Sequence, residues 1–177
     1  MFIYGPRVAR AMSADPLLAF HEDHERIRPR LRQLEKALDA AMNRDRAEVS
    51  ERKVFREGRE FLETAVLDHF RREEHALLPA LEARVGRFGS LVNVIAYDHD
   101  EVRREVGKLA EALVALEAKA DRPHVAELHE VNRHGIFLVQ YLGLHMAKED
   151  AYFGGDARQA LGEGGLAEVT RRLEAVR

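Results

Sequence analysis

Cysteine is absent from the 177 residues. That removes disulfides, thiolate metal sites and thiol catalysis together, so any metal must be held by His, Asp or Glu. No apolar run approaches the roughly 18 residues a membrane-spanning helix needs. The opening Met1-Phe2-Ile3-Tyr4-Gly5-Pro6 has too short an apolar core for a signal peptide and lacks basic residues before it. A cytoplasmic protein with no membrane partner is therefore expected. Nor is there a large excess of charge of one sign, since a net charge of −3 argues against a nucleic-acid or polyanion binder. Low-complexity tracts are lacking, and nothing favours strands. What is there, 46% hydrophobic and 33% charged, is an ordinary globular composition leaning helical. The length is that of one domain over residues 1–177.

The hydrophobic pattern has a helical period almost throughout. Residues 1–14 carry no period and read as an irregular arm. Asp15-Pro16 is a helix start, with Asp as N-cap and Pro at the first helical position. Leu17, Phe20, His24, Ile27, Leu31, Leu34, Leu38 and Ala41 then step by threes and fours along one seam. Pro29 lies inside this helix and predicts a kink. After the turn Asn43-Arg44-Asp45, a second helix is expected from about Ala47 to Pro79. Its seam carries Phe55, Gly58, Leu62, Ala65, His69 and Ala76, with Glu73 on the flank; Pro79 should bend or end it, leaving a last turn to Val85. Gly86 and Gly89-Ser90 break the chain.

A third helix, from about Leu91 to Lys119, has Val92, Ile95, His99, Val102, Val106, Leu109, Leu113 and Leu116 on its seam. Past Asp121-Arg122-Pro123, a fourth from about Pro123 to Phe153 shows Leu128, Val131, Gly135, Leu138, Leu142, His145, Glu149 and Tyr152. A fragmentary segment and a short helix from about Gly165 to Val176 complete the chain. These pieces predict an all-α fold, an antiparallel up-down-up-down four-helix bundle over about residues 16–153. It carries an irregular N-terminal arm and a C-terminal extension, 154–177, with a short helix.

Chemistry enters through a repeated step. His69 and Glu73 are four apart, one turn above each other on one helix face, and His145 and Glu149 repeat the spacing. An imidazole and a carboxylate so placed can grip one divalent metal, or let the carboxylate reach to a second. At about 1.5 Å per residue, His24 and His69 lie about 28 and 33 Å from the first turn, and His99 and His145 about 30 and 35 Å from the third. Across the second turn Glu73, at about 18 Å, faces His99 at about 16 Å, while His69 lies one turn further. All four histidines thus fall at one level, on seams facing the bundle axis. His75, His129 and His134 lie off the seams, His21 beside one, and His124 at a helix entrance. Four buried imidazoles and two carboxylates at one level are costly without partners, and a metal pair supplies partners to all of them.

These residues resemble the hemerythrin-like domains, also called HHE cation-binding domains, over about residues 16–153. Asp23-His24 followed by Ile27 is similar to that family's first-helix element, and His69 through Leu78-Pro79 to its HxxxEE…LxP second. Asp98-His99 is similar to the third, and His145-xxx-Glu149-Asp150 to the fourth. The resemblance implies a non-haem di-iron centre with His24, His69, His99 and His145 as terminal ligands and Glu73 and Glu149 bridging. The donor set also suits Mn or Zn. Two bridging carboxylates leave open positions for O₂, peroxide or water.

The chain departs from the oxygen carriers of that family at Arg103, where they have a second third-helix histidine. His21, one turn before His24, is a candidate to take its place or to donate to a ligand. Asp150 competes with Glu149 as the bridge, and Glu149 is preferred because it shares the His145 face. Tyr141 and Tyr152 lie one turn either side of the His145–Glu149 step, where a phenol can serve the site or simply pack. Gly58 and Gly135 leave either a channel or a close helix approach. The expected function is a di-iron protein that binds or senses O₂, its reduced forms, NO or iron. The alternatives are a peroxidase or oxidase at the same site, and a metal-free helical interaction module. Oligomeric state is not encoded legibly.

Overall fold

A computed structural model describes residues 15–119 and 124–176. Helix α1 spans Pro16–Met42, opened by Asp15, whose side chain accepts from the Leu17 N–H at 3.0 Å. Helix α2 covers residues 49–85, α3 is Leu91–Glu117, α4 is Val125–Gly154 and α5 is Asp156–Ala175. The first four form the antiparallel bundle, with α1 against α2 and α4, and α3 against α4 and α2. The first-helix and third-helix seams are buried at every position read from the sequence. Pro29 sits within a continuous α1. The arm at 1–14 and the turn at 121–123 lie outside the described residues.

Helix α2 departs from its expected phase. It is wound as α-helix over Val49–Phe61, Leu67–Arg72 and Leu78–Val85, and as π-helix over Leu62–Val66 and Glu73–Leu77. The Leu67 N–H reaches back five residues to the Leu62 carbonyl, and Leu78 likewise to Glu73. Each wide turn takes an extra residue and rotates the rest of the helix by roughly 100°. Val66, rather than Ala65, therefore faces the core, and Glu73 moves from the expected flank to full burial. Pro79 comes just after the second wide turn, which makes room for its ring, and the helix runs on to Val85, the last turn expected from the sequence.

Two apolar clusters fill the molecule. One, from Ile27, Leu31, Leu62, Val66, Val102, Leu138 and Leu142 downward, occupies most of the bundle. The other gathers Leu17, Phe20, Leu77, Leu81 and Ile95 at one end, where α5 covers them with Ala157, Leu161, Val169 and Leu173. Helix α5 starts earlier than the sequence pattern suggests. The segment read as fragmentary is helical from Asp156, broken at Gly162 (φ 57°, ψ −174°), then helical again. At Gly135 an added Cβ would stand 2.7 Å from Leu38 Cδ1, and at Gly58 3.3 Å from Leu34 Cδ1. Both glycines thus serve close approach to α1, and Gly58 also lines a small surface pocket with Arg30, Leu34 and Phe61.

Candidate metal centre

Between the two apolar clusters lies one polar layer. On α1, His24 falls between Phe20 and Ile27; on α3, His99 falls between Ile95 and Val102. On α2 and α4, the His69–Glu73 and His145–Glu149 steps occupy the same level. All six side chains are at most 1% exposed. They form two groups whose ligand atoms lie within 4.8 Å of one another: His24, His69, Glu73 and Glu149, and Glu73, His99, His145 and Glu149. Both carboxylates belong to both groups.

The ring orientations obey one rule. Every Nε2 points inward and every Nδ1 points at a carboxylate on another helix. His24 Nε2 is 3.1 Å from Glu149 Oε2, and His69 Nε2 is 3.4 Å from Glu73 Oε1. His99 Nε2 is 3.3 Å from Glu73 Oε2, and His145 Nε2 is 3.2 Å from Glu149 Oε1. Outward, His24 Nδ1 donates to Asp150 at 2.8 Å and His99 Nδ1 to Glu74 at 2.8 Å. His145 Nδ1 donates to Asp98 at 3.2 Å, and His69 Nδ1 faces Asp23 at 3.5 Å. Such a carboxylate fixes the tautomer and ring direction of a metal-binding histidine.

A third layer holds the carboxylates. Arg26 and Arg72 pair with Asp23, Arg28 and His21 with Asp150, and Lys148 and the Tyr141 hydroxyl with Asp98. Arg103 binds both oxygens of Glu74 at 2.7 Å, so this departure from the oxygen carriers supports His99 from outside.

The fit to cations is visible in what is left unpaired. Both oxygens of Glu73, both of Glu149, and Nε2 of His99 and His145 are buried without a well-aligned hydrogen bond among the described residues. Their spacing near 3 Å is that of neighbouring donors around one ion with ligand bonds of about 2 Å. Electrostatics agree. Burial, with its neighbour His69, lowers His24 to about 4, and burial lowers His69 to about 4, keeping both neutral as ligands. His145 is also lowered by burial. Burial and the Glu73, Asp150 and Asp98 carboxylates push Glu149 well above the usual range. Burial would raise Glu73 too, but His69 and His99 hold it down near 2. Without a cation, the two carboxylates are pushed in opposite directions, Glu149 toward its protonated form and Glu73 toward its ionised one.

The family comparison agrees with this geometry. The model of the Hemerythrin HHE cation binding domain matches residues 15–122. The chain belongs to this hemerythrin family. Its match stops before α4, whereas the resemblance read from the sequence reaches residue 153. Two α4 residues of this hemerythrin domain nevertheless complete the groups, Glu149 in both and His145 in the second. Comparisons with curated proteins and with solved structures gave no match. Among the described residues, no helix is long and apolar enough to cross a membrane.

Other candidates stand further out in the hemerythrin domain. Asp150 lies behind His24, and His21 behind Asp150 at 2.9 Å with its side chain 48% exposed. Tyr152 packs beside Phe153 in the end cluster. Of the off-seam histidines, His75 and His129 are exposed, while His134 and His124 are buried away from the centre. Sequence reasoning assigns no role to Asp23, Glu74 or Asp98. Each is adjacent in sequence to a residue of the layer, the one signal that could have found them.

Proposed function

We propose that this hemerythrin domain holds two iron ions, one with His24 and His69, the other with His99 and His145, and that Glu73 and Glu149 bridge them. Mn or Zn can substitute, since imidazole and carboxylate serve all three. The observation that carries the reading is the sharing of both buried carboxylates by two histidine pairs. Bound iron would supply reversible redox chemistry toward O₂, its reduced forms or NO.

The chain's own contribution is orientation and exclusion. Asp150, Asp23, Glu74 and Asp98 aim the rings. Phe70 stacks on His99 at 3.8 Å and meets His145 edge-on at 5.3 Å, while Phe20 meets His69 edge-on at 5.9 Å. These walls keep bulk water and large molecules from the layer. Binding or sensing a small ligand, rather than turnover of a bulky substrate, is the activity such an enclosure supports.

The test is metal analysis and ultraviolet–visible spectroscopy of anaerobically iron-loaded protein. Two irons per chain, with oxo-bridge absorption after oxidation, is the expected result. A ratio far below two, with no such bands, would discard the reading.

A further inference from the structure

Three of the four backing carboxylates turn their outer side to permanent cations: Asp23 to Arg26 and Arg72, Glu74 to Arg103, and Asp98 to Lys148. An arriving dication meets like charge there and no outer imidazole. Asp150 differs. Its Oδ1 stands 2.9 Å from His21 Nδ1 and 2.8 Å from His24 Nδ1, while Arg28 takes Oδ2 and is shared with Glu25. One nitrogen of each ring and one Asp150 oxygen lie close enough together to hold a cation. Exposure falls inward, from 48% at His21 through 21% at Asp150 to none at His24. Beyond, His24 Nε2 is 3.1 Å from both His69 Nε2 and Glu149 Oε2. Donor atoms thus form a ladder from solvent to the centre.

We propose that His21, Asp150 and His24 form a loading site through which a divalent transition-metal cation reaches the buried layer. This rests on the di-iron reading, since it requires a centre to fill. Two imidazoles and a carboxylate suit Fe²⁺, Mn²⁺ or Zn²⁺. The incoming ion displaces the Arg28 guanidinium from Asp150 toward Glu25, its other partner. A neutral imidazole offers one lone pair at a time, so an ion at the loading site moves the His24 proton from Nδ1 to Nε2, and passage inward returns it. His24 therefore cannot serve the loading site and the centre together, and the outer site passes its ion on.

The experiment mixes metal-free full-length protein with Co²⁺ in a stopped-flow instrument, then monitors release to a chelator. A step on the path speeds passage in both directions. His21→Ala should therefore slow uptake and release by the same factor, about tenfold for a site that concentrates ions at its mouth, with the dissociation constant unchanged. His129→Ala, which removes an exposed histidine of α4 outside the ladder, should keep wild-type rates. Wild-type rates in His21→Ala would overturn the route. So would faster release with weaker affinity, which makes His21 a prop for Asp150, or equal slowing in His129→Ala. Wild-type protein that takes up no cobalt at all would instead sink the di-iron reading, and the loading site with it.

Discussion

His134 and His145 lie on the same helix, both buried, and both donate Nδ1 to a carboxylate of α3, Glu105 at 2.5 Å and Asp98 at 3.2 Å. They part at the other nitrogen. His134 Nε2 looks toward solvent-side groups, Arg133 at 3.2 Å and Glu130 at 3.7 Å. His145 Nε2 looks inward at Glu149, and neither group has an aligned hydrogen bond among the described residues. The buried Arg52–His124 pair at the far end resembles His134: the guanidinium donates to the Ala47 and Leu116 carbonyls at 3.0 and 2.9 Å. Burial and a carboxylate partner therefore do not mark a ligand histidine. For His99 and His145 the unpaired inward nitrogen does, whereas His24 and His69 turn theirs on each other, Nε2 to Nε2 at 3.1 Å.

The sharpest way to break that contrast is Glu149→Gln, which keeps volume and removes the bridging charge. Without metal, Glu149 is already pushed toward its neutral form by burial and Glu73, so the metal-free melting temperature should stay near wild type. Metal content should fall to one ion or fewer. The stabilisation of about 4 kcal/mol per site expected at a thousandfold excess of metal over Kd should shrink in proportion to the ions lost. Calorimetry with and without Fe²⁺ measures both. A metal-free interaction module predicts no metal-induced rise even in the wild type.

Acid supplies the second test, on metal-free protein. His24 and His69 are lowered from 6.5 to about 4, so between those values the unfolded chain binds more protons than the folded one. Stability from these two rings is complete above 6.5 and is lost as pH falls toward 4. His145, also lowered by burial, adds to them. His99, which burial would lower but Glu73 and Glu74 raise, and Glu149, raised by burial and Glu73, work in the opposite sense. The net expectation is a falling melting temperature across this window, and bound metal should flatten the fall. A metal-free protein equally stable at both ends would contradict the burial of these rings.

The sequence reveals the layer because five of its six residues sit on regular seams, where a 3.6-residue period is a direct statement about facing. The two wide turns of α2 leave no such mark. One extra residue in a turn is indistinguishable from a loose seam, so the period points to Ala65 where Val66 lies, and puts Glu73 on a flank. Asp23, Glu74 and Asp98 are hidden for another reason. Each is adjacent in sequence to one member of the layer yet serves an imidazole on a different helix, so its partner exists only after packing. The start of α5 is hidden by Gly162, Gly164 and Gly165. Its helical form rests on burial of Leu161, Val169 and Leu173 rather than on local preference.

The paired class of buried histidine makes its own prediction, with the smallest effect. Glu105 accepts from His134 and pairs with Lys108 at 3.0 Å. Glu105→Ala would leave a buried imidazole N–H without its acceptor, at a cost of about 1–3 kcal/mol. For a chain of this length that lowers the melting temperature by about 2–12 °C. Iron content and metal affinity should not change, because neither residue touches the layer or its backing carboxylates. Glu149→Gln and Glu105→Ala should thus separate cleanly, one losing metal at little cost to the metal-free fold and the other losing stability with its metal intact. Metal loss in Glu105→Ala would mean that the two kinds of buried histidine are coupled, and that the unpaired nitrogen is not what sets them apart.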